Sequence, residues 1–144
     1  FSTGDLVKIE ITFLNYGKTE GLSAGLRIRN KEGLKIYSWA TANYERYFIK
    51  RDEIGKIFEK TDDSKSVFTV QFDFTCNLGS NLYQVEAFIS NEKNTSFEQQ
   101  EVLDWVSEAA FFRVEVDKAK NFFGGVCDLG MKASLKNSNK SDAN

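Results

Sequence analysis

Apolar and polar positions alternate with period two through most of the chain. In DLVKIEITFL, residues 5–14, Val7, Ile9, Ile11 and Phe13 fall on one side, and Lys8, Glu10 and Thr12 on the other. Such a strand buries one face and wets the other. A turn, NYGKTEG, separates it from LSAGLRIRN, in which Ala24, Leu26 and Ile28 oppose Gly25, Arg27 and Arg29. The NKEG turn at residues 30–33 then leads into KIYSWATANY, so these two strands read as a hairpin. Downstream, VFTVQFDFT sends Phe68, Val70, Phe72 and Phe74 inward against Thr69, Gln71 and Asp73. LYQVEAFIS sends Tyr83, Val85, Ala87 and Ile89 inward against Gln84, Glu86 and Phe88. Further strands are expected over residues 97–103, over FFRVEV at 111–116, and over 129–135 after the glycine pair at 124 and 125.

About eight short strands with a turn every ten or so residues predict an all-β protein, an immunoglobulin-like antiparallel β-sandwich. Leu78, Gly79 and Tyr83 resemble a tyrosine corner, in which a Tyr near the start of the sixth strand bonds back across the connection. On that basis residues 5–14, 22–30, 34–41, 67–75, 82–90 and 97–103 take the B, C, C′, E, F and G positions of the fold. The alternation stops between Tyr44 and Ser66. Phe48, Ile49, Ile54, Ile57 and Phe58 have near-helical spacing, which predicts a long loop with a short helical segment around 51–59.

In KIYSWATANY the alternation places Tyr37 and Trp39 on one face with Lys35 and Thr41, and Ile36, Ser38 and Ala40 on the other. Neighbouring strands supply enough Phe, Ile and Val to fill a core, so the small face is expected inward. Tyr37 and Trp39 are then expected to project beside Arg27, Arg29, Gln84, Glu86 and Phe88. Aromatic rings offer flat apolar surfaces to the C–H face of a pyranose, while Arg, Gln and Glu hydrogen-bond its hydroxyls. These seven residues form the candidate carbohydrate-binding face. The alternative is that the 44–66 loop covers Tyr37 and Trp39. Tyr44 and Tyr47 either edge the site or pin the loop, Trp105 reads as a core or strand-junction residue, and the Asp62–Asp63 pair as a solvated turn.

Composition narrows the chemistry further. At 144 residues the chain suits one domain able to bury its own core, with 41% hydrophobic residues, 28% charged and 13 Phe. Residues 1–136 are expected to form it, followed by a disordered polar tail at 137–144. The net charge of −2 supplies no general pull toward nucleic acid. No His is present, which excludes Ser–His and Cys–His catalysis, and neither GxxxxGK[ST] nor GxGxxG occurs. A carboxylate pair such as Asp73 and Glu86 fits a solvated strand face better than a glycosidase. Cys76 and Cys127 lack CxxC spacing; they fit buried free thiols in a reducing compartment, with a disulfide as the alternative. The start at Phe1, without an initiator Met or signal-like segment, reads as a piece of a longer polypeptide.

FSTGD before the first strand, GLRIRNKEGLKIYSWAT, CNLGSNLYQVEAFIS, VLDWVSEAAFFRVEV and FFGGVCDLG together resemble the C-terminal domain of Wzt-type proteins, over roughly residues 1–135. Those proteins are the nucleotide-binding subunits of ABC transporters that export O-antigen polysaccharide. The resemblance implies a non-catalytic β-sandwich that binds the exported polysaccharide near its modified non-reducing terminus. It also implies a homodimer formed by exchange of the C-terminal strand, here around residues 129–135. An N-terminal ATPase with ATP and Mg, a transmembrane transporter subunit as partner, and the cytoplasmic face of the bacterial inner membrane follow from the same resemblance, with no cofactor in this domain. Arg27 and Arg29 suggest an anionic terminal group, a phosphate or an acidic sugar such as Kdo. The alternative function is a structural or dimerisation sandwich whose aromatic face contacts protein.

Overall fold

The computed structural model describes residues 1–59, 66–93 and 96–137. Six strands carry the fold: β1 (Leu6–Asn15), β2 (Leu22–Asn30), β3 (Lys35–Ala40), β4 (Ser66–Thr75), β5 (Asn81–Glu92) and β6 (Gln100–Val114). They form two antiparallel sheets, a four-stranded one in the order β3-β2-β5-β6 and a two-stranded one of β1 and β4. The all-β sandwich expected from the alternation is therefore present. Val7, Leu26, Ile28, Tyr83, Val85, Phe112 and Val114 build the main core between the sheets. A second cluster forms around Leu22, Ala24 and Phe58.

The corner at Tyr83 has the expected geometry. Its buried hydroxyl donates to the Gly79 carbonyl over 2.7 Å. Burial, followed by the proximity of Cys76, pushes the phenol above its usual pKa, so it stays a neutral donor at physiological pH. Tyr83→Phe is expected to lower stability by about 1 kcal/mol, because it orphans a buried carbonyl while leaving the ring stack on Phe112 in place. Urea denaturation checks this through a lower midpoint at unchanged slope.

Three elements differ from the sequence reading. The strands expected at 97–103 and 111–116 are one continuous strand, β6, which has 15 residues against the 12 of β5. The excess is taken up where the register slips, between Val85 and Ala87 and between Ile89 and Ser90. The first slip adds two residues to β6 and the second adds one, which reverses its alternation; together they interrupt the ladder and hide the continuity of the strand. The helical segment lies earlier than expected, as α1 (Thr41–Tyr47), and the 51–59 region retains only a 3-10 turn at Lys56–Phe58. Asn43 accepts the Ala40 N–H at 2.9 Å and Ser23 Oγ accepts the Ala42 N–H at 3.2 Å, so orphan donors at the helix start are satisfied by side chains. Finally, no strand occupies 129–135: beyond the bridge between Leu78 and Cys127 and the hydrogen bond from the Asp128 N–H to the Asn77 carbonyl, these residues join no sheet. The Asp62–Asp63 turn, and the expected tail from residue 138 onward, lie outside the described residues.

Candidate functional site

In an antiparallel ladder, directly paired residues share a face. β2 and β3 pair Gly25 with Ala40, Leu26 with Trp39, Arg27 with Ser38 and Ile28 with Tyr37, but Arg29 with Lys35. The step from Tyr37 to Lys35 against a single step on β2 leaves Ile36 as an extra residue, a β-bulge. Ile36 packs against the main core. The bulge reverses the phase of β3: Tyr37 and Trp39 lie on the face of Leu26 and Ile28, opposite to Arg27 and Glu86. The expected seven-residue face is thus two surfaces, one on each side of the sheet.

On the inward side, β3 is the edge strand, and the facing sheet has only two strands to cover four. The rings of Tyr37 and Trp39 accordingly meet other rings instead of a sheet. Tyr37 and Trp39 lie 6.3 Å apart at 12°. Trp39 meets Phe48 edge-on at 6.0 Å, and Phe48 stacks with Tyr44 at 5.6 Å. Tyr44 and Phe48 meet because they stand four residues apart at the end of α1. Tyr37, Tyr44 and Phe48 are 53%, 45% and 68% exposed, and Trp39 is half-buried. The result is a continuous run of aromatic rings, to which Tyr44 and Phe48 bring the start of the 44–66 segment; residues 60–65 of that segment lie outside the described residues. Sequence reasoning left the role of Tyr44 undecided and missed Phe48; the Tyr44/Phe48 spacing was the signal that could have found them.

The other face carries Arg27, Arg29, Gln84, Glu86 and Phe88, and its groups engage one another. Arg29 Nε donates to Glu86 Oε1 over 2.6 Å. Phe88 is buried, stacked on Trp105 at 5.1 Å and 11°, and Arg27 lies 4.7 Å from the same indole. Trp105 lies within β6, half-buried and outside both core clusters, so it is neither the core nor the strand-junction residue expected from sequence. A Cβ at Gly25 would come within 2.4 Å of the Phe88 ring and 2.7 Å of Ala40 Cβ, so only glycine lets that ring lie down on the sheet. The start of α1 is tied to β2, where Thr41 Oγ1 accepts the Ala24 N–H at 3.1 Å.

A buried carboxylate fixes the loop beyond α1. Glu45 is fully buried; its Oε1 accepts the Gly55 N–H at 3.0 Å and its Oε2 lies 3.5 Å from Arg51 Nη1. The Gly21 N–H donates to the Ile54 carbonyl at 2.7 Å, tying the loop to the start of β2. Phe58 then plugs the second core cluster against Phe13 and Phe68. The aromatic surface therefore borders a braced loop. Among the described residues no group of three His, Cys, Asp or Glu side chains is placed to hold a metal ion. Cys76 and Cys127 are free thiols, Cys76 buried and Cys127 exposed.

Comparison with families of known domains matches residues 1–129 to the Wzt C-terminal domain. The chain belongs to the Wzt C-terminal domain family. Its fold agrees: a crystal structure of the C-terminal domain of wzt superposes with a TM-score of 0.70 at 18% identity, covering 94% of this chain and 72% of that one. No curated protein matches. As a Wzt C-terminal domain, the chain is a non-catalytic domain of a transporter subunit with a role in the O-antigen ABC transporter. No helix among its described residues is long and apolar enough to cross a membrane.

Proposed function

We propose that this Wzt C-terminal domain binds the O-antigen polysaccharide that the transporter exports, near its modified non-reducing terminus, and does so on the aromatic surface of β3 and α1. One observation carries the reading: Tyr37, Trp39, Phe48 and Tyr44 form an unbroken run of ring contacts while most of that run stays exposed. Monomeric proteins seldom leave such a patch uncovered without a ligand or partner. Rings stack on the C–H faces of sugars, and the two tyrosine hydroxyls add hydrogen-bonding groups at the rim. Of the seven residues expected from sequence, Tyr37 and Trp39 remain in the site. The proposal gives Arg27, Arg29, Glu86 and Phe88 a scaffold role on the opposite face, because they engage one another or Trp105, and leaves Gln84 on that face outside the site.

The parent polypeptide in this reading carries the ATP- and Mg-binding domain N-terminal to Phe1. It engages the transmembrane subunit at the cytoplasmic face of the bacterial inner membrane, and the present domain needs no cofactor. Calorimetric titration with the O-polysaccharide of the source strain tests the glycan assignment. Saturable binding supports it; absence of binding, together with burial of the same rings in a protein complex, favours the structural alternative.

A separate observation favours dimerisation through the C-terminal segment. Leu129, Met131 and Leu135 alternate and are 76%, 84% and 81% exposed. On the far side of the sandwich a cleft of about 270 Å³ opens between β1 and β6, lined by Ile9, Ile11, Phe13, Val85, Ile89 and Val106. β1 leaves one edge unpaired beside it. An alternating apolar strand from a second copy fits both needs. Truncation after Asp128 is expected to convert a dimer to a monomer in light scattering; an unchanged mass would refute this mode of exchange.

A further inference from the structure

A second aromatic pair stands at the same helix, α1. Tyr47, the residue before Phe48, is 59% exposed, and its ring lies 6.0 Å from that of Phe97 at 28°. Phe97 holds a φ of 62°, a left-handed backbone that a bulky L residue seldom adopts. Such strain persists only where the surroundings enforce it, and it gathers at functional positions. Here it delivers a ring from the segment ahead of β6 to the exposed side of α1. One short helix thus carries two ring clusters, Tyr37, Trp39, Phe48 and Tyr44 in one and Tyr47 with Phe97 in the other, drawn from three separate parts of the chain.

Resting on the glycan reading, we infer that this surface accommodates a run of consecutive sugar residues, so that the body of the polysaccharide contributes to recognition along with its terminus. One terminal sugar has two faces and stacks on one or two rings; six aromatic side chains spread over three elements exceed what it can use. Neighbouring rings in the β3–α1 run are 5.6 to 6.3 Å apart. Successive sugars along an extended chain can each meet a different ring. The two arginines expected to read an anionic end stand elsewhere: Arg29 is paired with Glu86 on the other face and Arg27 is engaged with Trp105.

The test is a chain-length series. Size-fractionated O-polysaccharide fragments of one to four repeat units, each with and without the native terminal modification, are titrated into the wild-type chain by calorimetry. Affinity is expected to rise about three- to tenfold for each added stretch of sugars that reaches a new ring, in capped and uncapped series alike. In a Tyr47→Ala/Phe97→Ala variant the rise is expected to level off at a shorter fragment, while the shortest fragments bind as in wild type. If a single capped repeat binds as tightly as four, the run of sugars is wrong while the glycan site stands. If no fragment binds at any length, the glycan reading itself fails, and this inference with it. An unchanged length dependence in the double variant would remove Tyr47 and Phe97 from the surface.

Discussion

Gly55→Ala is expected to destabilise the domain by about 3 kcal/mol, the largest effect of any methyl-sized change in the loop that borders the aromatic surface. Two causes add. Gly55 has a φ of 98°, where an L side chain is strained, and its new Cβ would lie 2.0 Å from the Thr19 carbonyl oxygen and 2.9 Å from the backbone nitrogens of Gly21 and Leu22. All three obstacles are backbone, so none can swing away. The same residue donates its N–H to buried Glu45, so any displacement also disturbs that carboxylate and its contact with Arg51. Gly17→Ala provides the control. Its φ of 84° is comparable, yet nothing lies within 4 Å of the added Cβ, so only the conformational cost of about 1 kcal/mol remains. Thermal unfolding should show a fall of roughly 10 °C for Gly55→Ala and a few degrees for Gly17→Ala. Equal shifts would mean that the loop is not clamped to the start of β2.

The second large effect concerns binding. Tyr37→Ala/Trp39→Ala is expected to weaken O-polysaccharide affinity about 100-fold, since each ring that stacks on a ligand contributes roughly 1 kcal/mol beyond its buried area, and removing adjacent rings also exposes Phe48. Folding should survive: Tyr37 is 53% exposed and neither ring belongs to a core cluster. Arg29→Ala and Trp105→Phe address the opposite face and are expected to leave affinity within about twofold, because rings and charges that pair with each other contribute through packing and not through ligand contact. Loss of affinity in Arg29→Ala with normal binding in the β3 double variant would reassign the site to the face on which Arg27, Arg29, Gln84, Glu86 and Phe88 lie.

Much of the architecture was readable from spacing. The period-two runs of β1, β2, β4 and β5 located their strands and inward residues, and Gly79 with Tyr83 announced the corner that the 2.7 Å hydrogen bond closes. What escaped was local, and in the strands it had one kind of cause. An extra residue in a strand carries no sequence signature when it is not glycine, and Ile36 is an ordinary β-branched residue. Counting by twos across it placed Tyr37 and Trp39 with Arg27, whereas the pairing of Leu26 with Trp39 turns them the other way. The slips in β6 split one strand into two by the same mechanism. The start of α1 was hidden for a different reason, because its capping partners include Ser23 from another strand, a contact that only the folded chain brings together. The candidate rings were therefore visible in the sequence, but not which of them shared a surface.

The domain has two tryptophans, one on each face of the four-stranded sheet, which makes the central claim directly measurable. In a ¹⁵N-labelled sample each indole N–H gives its own signal, assignable with Trp39→Phe and Trp105→Phe. Titration with the O-polysaccharide should shift or broaden the Trp39 indole in proportion to occupancy and leave that of Trp105 in place. Movement of Trp105 with Trp39 unchanged would contradict the account and put the glycan on the opposite face.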